Sequence, residues 1–423
     1  MTNPTDRPAD RPDVRAEARP AVRPLDGITV VSLEHAIAAP FATRQLADMG
    51  ARVIKVERPP VRNADGSKSG GGDFARGYDT RVNGLASHFV WTNRSKESLT
   101  LDLKHALAAP ILDKLLAGAD VLIQNLAPGA TARMGLSYSA LKEKFPRLIV
   151  CDISGYGADG PQRDKKAYDL LIQSEAGFVS TTGSEDAPAK AGISVADIAA
   201  GMYAYTSILN ALLLRGKTGV GSQIDVSMLE ALAEWMSFPL YYAFEGAPQP
   251  PRAGASHATF YPYGPFKAGD GLSVVLGLQN EREWAAFCDK ALHNTALAKD
   301  LRFDSVSKRS ANRDALKALV EAAFQTLTAA EVEVRLDVAG IGYGRMNDMA
   351  ALWAHPQLKA RARWRTVESS AGPLPALLPP GASSAFEARM DAVPALGQHT
   401  AAILREVGVS AADVARLEGD AAI

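Results

Sequence analysis

Cysteine is nearly missing from this chain. Cys151 and Cys288 are its two thiols in 423 residues, and they stand far apart. That excludes a disulfide framework and a cysteine-built zinc site, and it fits a reducing cytoplasm. Net charge is equally scarce. The 46 basic and 47 acidic residues leave −1, too little to draw the chain generally to nucleic acid or an anionic membrane. No apolar run reaches membrane-spanning length, and residues 1–23 contain no apolar stretch of the secretory-signal kind. No GxGxxG is present, so a nicotinamide or flavin enzyme is not supported. Gly70, Gly71 and Gly72 are a phosphate-cradle candidate. Neither a helix start nor a Lys-Ser/Thr pair follows them, so 63–73 is expected to be a flexible surface loop.

What is present is an ordinary globular balance, 47% hydrophobic and 22% charged, on a chain long enough for a large core and two domains. In residues 1–23, Arg7, Arg11, Arg15, Arg19 and Arg23 recur at every fourth position, but Pro8, Pro12 and Pro20 interrupt any helix. A disordered tail is expected. Beyond it, 28–33 reads as a buried strand, 41–49 as a helix and 52–57 as the next strand, a βαβ unit. A strand at 99–103, a helix near 106–117, a strand at 120–125, a helix at 136–145 and a strand at 148–153 continue the alternation. The fold class is therefore α/β, with an open, mostly parallel sheet. Ligands on such sheets bind beyond the carboxyl ends of the strands, which directs attention to 35–40, Arg58, 125–129 and 154–157.

The texture changes later. Residues 239–265 are aromatic and rich in Pro and Gly. A strand at 272–277 and amphipathic helices at 281–292 and 312–326 read as a smaller domain, and a last helix covers 398–407. Between the two textures lies Asp197, at the front of a charge-free helical run, 198–214, with Met202, Ile208, Leu209, Leu212 and Leu213 on one face. A helix N-terminus stabilises an anion. Capping alone is an equally good reason for an aspartate there, and these residues by themselves leave both readings open.

An ordered set of short motifs resembles class III CoA-transferases, the CaiB/BaiF family. They include Pro24-Leu25-Asp26-Gly27-Ile28, Gly50-Ala51-Arg52-Val53-Ile54-Lys55-Val56-Glu57 and Leu101-Asp102-Leu103-Lys104. Asn125-Leu126-Ala127-Pro128-Gly129, Arg133-Met134-Gly135, Ser154-Gly155-Tyr156-Gly157 and the run from Gly219 to Glu230 follow in order. Ala339-Gly340-Ile341, His355-Pro356-Gln357 and Leu396-Gly397-Gln398-His399-Thr400 complete the set.

This resemblance implies a large Rossmann-like domain with a parallel sheet, a smaller α/β domain and an interlocked homodimer. The implied division is a tail at 1–23, the N-terminal part of the large domain at 24–225, the small domain at 226–345 and a returning C-terminal segment at 346–423. Asp197 falls at the family's nucleophile. Coenzyme A contacts are implied at Ile37, Ala38, Arg58, Leu101, Lys104, Asn125, Leu126, Arg133, Lys166 and Tyr168. Asp169 matches an acidic family position, as an orienting or proton-handling group. The implied reaction moves CoA from an acyl-CoA donor such as succinyl-CoA to a small carboxylic acid. Oxyanions form at each step, so backbone amides near Asp197 are expected to stabilise them. The CoA thioester is the substrate, with no tightly bound cofactor and no metal.

Ile37 and Tyr78 stand where formyl-CoA transferases carry Gln and Trp, and 252–260 lacks their glycine run, which points away from oxalate. His257-Ala258-Thr259 and Pro262-Tyr263-Gly264-Pro265-Phe266 resemble relatives that use itaconate, mesaconate, citramalate or glutarate-type acids. Arg44, Arg76, Tyr78, His257 and Arg252 are the candidates around the acceptor. Two other readings are an α-methylacyl-CoA racemase and a non-catalytic CoA-binding protein. The racemase pairs a His with an acidic residue near Asp169, and this chain has no His between His105 and His257.

Overall fold

The computed structural model describes residues 22–423 except 64, 66 and 67; the tail expected at 1–23 falls outside the described residues up to position 21. The chain divides into two compact units. The first runs to Ser154 and includes Gly201–Val226 and Arg363–Ile423; the second comprises Gly155–Ala200 and Ser227–Ala362. Segment 155–200 thus groups with the smaller domain rather than with 24–225, and the return begins at Arg363 rather than 346. The segment's hydrogen bonds account for this: Leu229 N–H donates to the Gly155 carbonyl at 3.0 Å and Gly254 N–H to that of Gly183 at 2.8 Å.

In the first unit six strands, β1 (Thr29–Leu33), β2 (Arg52–Glu57), β3 (Lys96–Thr100), β4 (Val121–Gln124), β5 (Ile149–Ser154) and β6 (Gln223–Ser227), form one sheet in the order β3-β2-β1-β4-β5-β6. β1 pairs in parallel with β2 and β4, β2 with β3, and β4 with β5. This is the doubly wound order, in which the chain reverses direction between β1 and β4. Helix α1 (Ala38–Asp48) follows β1, and α2 (Ala108–Ala117) precedes β4. Val31, Leu33, Ile54, Leu99, Ile111, Leu115, Leu122 and Val150 make up the core under α2.

β3 begins three residues before the strand expected at 99–103. Its buried Lys96 and Ser98 look wrong for a core strand, but both find polar partners inside, Glu34 for Lys96 and Glu57 for Ser98. The C-terminal segment closes on this edge. Thr100 N–H donates to Thr400 Oγ1 at 2.9 Å. The helix expected at 398–407 is seen at Thr400–Glu406, and a further one, Ala411–Gly419, follows. The glycine run is no loose loop. All three glycines have positive φ, and a Cβ on Gly71 would lie 2.7 Å from Pro60 backbone atoms. The turn is compact because no side chain fits there.

In the second unit, α3 (Asp169–Glu175) and the start of α4 (Val195–Thr218) are followed by an antiparallel sheet. Its strands are β7 (Tyr263–Lys267), β8 (Ser273–Gly277) and β9 (Gly342–Arg345), ordered β9-β8-β7. Helices α5 (Arg313–Phe324) and α6 (Ala329–Ala339) share a core with Val274, Trp284, Phe287 and Phe303. The helix expected at 281–292 is α-helical to Ala286 and then widens into a π turn over Phe287–Ala291.

By length and composition, the 24 residues of α4 suffice to cross a membrane, which corrects the expectation that no run is long enough. Within the first unit one face of the helix is buried, while Leu213 and Leu214 are exposed. A Cβ on Gly201 would lie 2.7 Å from the Ala38 carbonyl, so the backbones of α4 and α1 approach closely. Ala204 and Ile208 are fully buried, and Arg215 donates to Asp120 at 2.8 Å.

Candidate active site

In the first unit the candidate residues gather where β1 and β4 diverge. The Asn125 side chain accepts the His35 N–H and donates to the His35 carbonyl, each at 2.9 Å. The amide expected to touch coenzyme A is therefore engaged in holding β1's exit loop. Beside it is a slot lined by Leu33, His35, Arg58, Leu101, Leu103 and Leu126, among others. Arg58 lies over the Phe74 ring at 5.0 Å, and the His35 ring lies tilted against the same ring at 4.7 Å. Burial pushes the His35 pKa down, so the imidazole is neutral, and its buried Nδ1 has no hydrogen-bond partner. Leu101 is buried, while Lys104 and Arg133 are exposed. Gly129 makes room for Arg133, whose Nη1 would lie 2.9 Å from a Cβ there. The slot is mainly apolar, and the Arg58 guanidinium in its wall is of a kind that suits a phosphate group.

Ile37 and Ala38 are buried at the start of α1. Below them runs an ionic network that sequence reasoning missed. Lys55 Nζ bonds Asp73 at 2.7 Å and Glu34 at 3.2 Å; Lys96 Nζ bonds Glu34 at 2.7 Å and Asn93 at 3.0 Å. Asp73 accepts the N–H of Ala36, a residue at φ 59°. All four charged side chains are buried. Burial works against the charge on Glu34, but Lys55 and Lys96 outweigh it and lower its pKa. Burial also opposes charge on Lys55, yet Glu34 and Asp73 raise its pKa. Lys96 shares Glu34 with Lys55, and burial wins there, bringing its pKa down to about 7. The available signal was Lys55 and Glu57 placed among Val and Ile in a strand too buried to leave them unpaired.

Two arginines proposed for the acceptor are structural. Arg44 is buried against Asp48 at 2.6 Å, a carboxylate it shares with Arg94. Arg76 makes two bonds to Glu57, at 2.7 and 2.8 Å, and lies 3.7 Å from the Phe89 ring centre. Burial opposes the Glu57 charge, but Arg76 wins and holds its pKa at about 2. Neither guanidinium is available to a substrate carboxylate. Tyr78 is half exposed, edge-on to His88.

In the second unit Asp197 occupies the first turn of α4, half-buried. Asp169 Oδ1 accepts the Ala196 N–H at 2.8 Å and the Asp197 N–H at 3.3 Å. Amides near Asp197 were expected to serve oxyanions; these two are already bonded. Lys166 and Tyr168, just before Asp169, are exposed. Their segment is held by Ala167, whose Cβ fills the space over Gly155 that a side chain would need. His257 Nδ1 accepts the N–H groups of Thr259 at 3.2 Å and Phe260 at 3.1 Å, and the ring stacks on Tyr263. With Nδ1 accepting, Nε2 is the ring nitrogen left to donate. Arg252 is structural, donating to the carbonyls of Ser184 and Glu185. Among the described residues, no group of His, Cys, Asp and Glu is placed to hold a metal ion.

A slot at the switch point of a doubly wound sheet lies where such α/β folds bind their ligands. Residues 25–400 match the model for CoA-transferase family III, and the chain belongs to that family of transferases. It is 32% identical to the succinyl-CoA:glutarate CoA-transferase of Mus musculus, over 91% of this chain and 86% of that one. It is 35% identical to the acetyl-CoA:oxalate CoA-transferase of Acetobacter aceti, over 80% and 84%. Its fold is similar to the crystal structure of a CaiB/BaiF family protein from Brucella suis, with a TM-score of 0.79 and 32% identity over 91% of this chain and all of that one.

Proposed function

We propose that the chain moves CoA from succinyl-CoA to a small dicarboxylate, with Asp197 as nucleophile. The observation that carries the mechanism is a half-buried carboxylate in the first turn of α4 whose own amide is fixed by Asp169. An Asp197 oxygen attacks the thioester carbonyl, the C–S bond breaks, and a mixed anhydride and CoA thiolate result. The thiolate attacks the Asp197 carbonyl carbon, releasing the donor acid as a carboxylate and leaving an aspartyl-CoA thioester. The acceptor carboxylate displaces the thiolate to form a second anhydride. Thiolate attack on the acceptor's acyl carbon then gives the new thioester and frees Asp197. No proton is gained or lost overall.

The slot beside Arg58 takes the nucleotide end of CoA, with Lys104 and Arg133 of the same unit as phosphate contacts. The two relatives described above are named for dicarboxylate acceptors, which supports that acceptor class. The Nε2–H of His257 is the donor for the acceptor's far carboxylate. The same reading includes a homodimer, supported by exposed Trp235, Phe238, Leu240, Tyr241 and Phe244 in one stretch of the second unit. An acceptor panel of glutarate, mesaconate, itaconate, citramalate and oxalate with succinyl-CoA, read by product mass, tests it. One or more new dicarboxylyl-CoA products are expected; no transfer to any of them removes the reading.

A further inference from the structure

Gln173 lies on α3 one turn beyond Asp169 and is completely buried. Its side chain makes two bonds, and both lead toward the start of α4. Nε2 donates to Asp169 Oδ2 at 2.6 Å, and Oε1 accepts the Ala191 N–H at 2.9 Å. Asp169 Oδ1 in turn accepts the amides of Ala196 and Asp197. One buried amide thus joins three pieces of backbone: α3, the approach at Ala191, and the first turn of α4.

Each end of this relay is defined by its chemistry. Gln173 supplies an NH2 group and a carbonyl oxygen, and each is engaged. Asp169 has one oxygen on Gln173 and the other on α4, so it cannot swing toward a ligand without leaving two α4 amides unpaired. Loss of a buried partner carries the full desolvation penalty of the group left behind. Asp197 stands between Ala196 and Ile198, whose N–H donates to the Ser194 carbonyl at 3.0 Å. The backbone that carries Asp197 is therefore held by amides that Asp169 accepts and Gln173 locks.

We infer that Gln173 and Asp169 together are positioning residues for Asp197, with Gln173 setting the orientation of Asp169 and Asp169 setting the first turn of α4. Asp169 thereby acts through the helix rather than as a proton carrier. The inference rests on Asp197 as the nucleophile. A displacement of about an ångström at a reacting group costs about 100-fold in rate. The relay lies wholly within the second unit, whereas the coenzyme A slot is built from residues of the first.

The test uses three variants of the full chain beside Asp197→Ala. In Gln173→Leu the volume is kept and both bonds are lost. Expected is a fall in kcat of about 10- to 100-fold, with KM for succinyl-CoA unchanged within about twofold. Asp169→Asn alone puts an NH2 group opposite the Gln173 NH2 group and should lose rate similarly. The double variant Asp169→Asn/Gln173→Glu rebuilds the relay with the charge moved one link outward. Its new amide oxygen accepts the α4 N–H groups, and its new NH2 group donates to the carboxylate introduced on α3. That carboxylate still accepts the Ala191 N–H through its second oxygen. The double variant should recover kcat to within a few-fold of the parent. A double variant no faster than Asp169→Asn overturns the inference, as does a folded Gln173→Leu protein with the parent kcat. Full activity in Asp197→Ala instead overturns the nucleophile, whatever the relay variants do.

Discussion

Asn125 and His35 exchange two hydrogen bonds of 2.9 Å, side-chain amide against backbone, across the point where β1 and β4 part. The side chain thus replaces a rung that the diverging strands cannot make. It also fixes the loop leading to Ile37 and the N-terminus of α1. Asn125→Leu leaves the His35 N–H and carbonyl without that partner, at a cost of about 1–3 kcal/mol per buried group. A lower melting temperature and a raised KM for succinyl-CoA are expected. An unchanged KM in a destabilised protein would separate this contact from coenzyme A binding.

Arg76 answers to Glu57. Removing the guanidinium takes away the cation bonded to a buried carboxylate and leaves it Ser98, the Asp73 N–H and the charge of Lys55; breaking such a buried pair costs up to about 3–5 kcal/mol. Arg76→Ala should therefore unfold at markedly lower urea concentration, while any folded fraction keeps its KM for the acceptor acid. A large rise in acceptor KM with normal stability would return Arg76 to the substrate.

Lys96 makes stability depend on pH on the alkaline side. Its folded pKa of about 7 lies below the ordinary lysine value of about 10.4. Between these values the unfolded chain binds the proton and the folded chain does not. The unfolded state then holds more protons, and this group's contribution to stability rises with pH through that window. The slope is at most about 1.4 kcal/mol per pH unit. Urea titrations at about pH 7 and pH 9, inside that window, should show the parent gaining relative to Lys96→Met. Equal differences at both pH values would mean that Lys96 keeps its proton.

His257 separates its two nitrogens by role. Nδ1 holds the turn through Thr259 and Phe260, which leaves Nε2–H as the donor. Asparagine can imitate the first role but not reach the second. His257→Asn should leave the melting temperature near the parent value and raise the acceptor KM about tenfold, the loss of one hydrogen bond to a charged group. An unchanged acceptor KM would make His257 a turn residue only.

Much of the first unit was legible in the sequence because β1, β2, β4 and β5 are runs of Val, Ile and Leu broken by glycine-ended helices. β3 was displaced because Lys96 and Ser98 read as surface residues, and only the tertiary network gives them partners. The same blindness affected the site. Asp197, Arg58 and Leu101 were singled out from motif and position. Arg76 looked like a free cation because its partner, Glu57, lies 19 residues away and reaches it only through the fold, whereas Arg44 has Asp48 one helical turn on, a pair already open to reading in the sequence. Gln173 gave no sign at all; a glutamine in a short helix becomes informative only once its two bonds are seen.

The most direct measurement is mass spectrometry of the protein mixed with succinyl-CoA and quenched with hydroxylamine. An activated aspartyl carbonyl, whether anhydride or thioester, is converted to a hydroxamate about 15 Da heavier than the acid, by replacement of OH with NHOH. The modification is expected on the peptide containing Asp197 and absent without succinyl-CoA. Modification on a different carboxylate, or none in a protein that is turning over, would contradict Asp197 as the nucleophile.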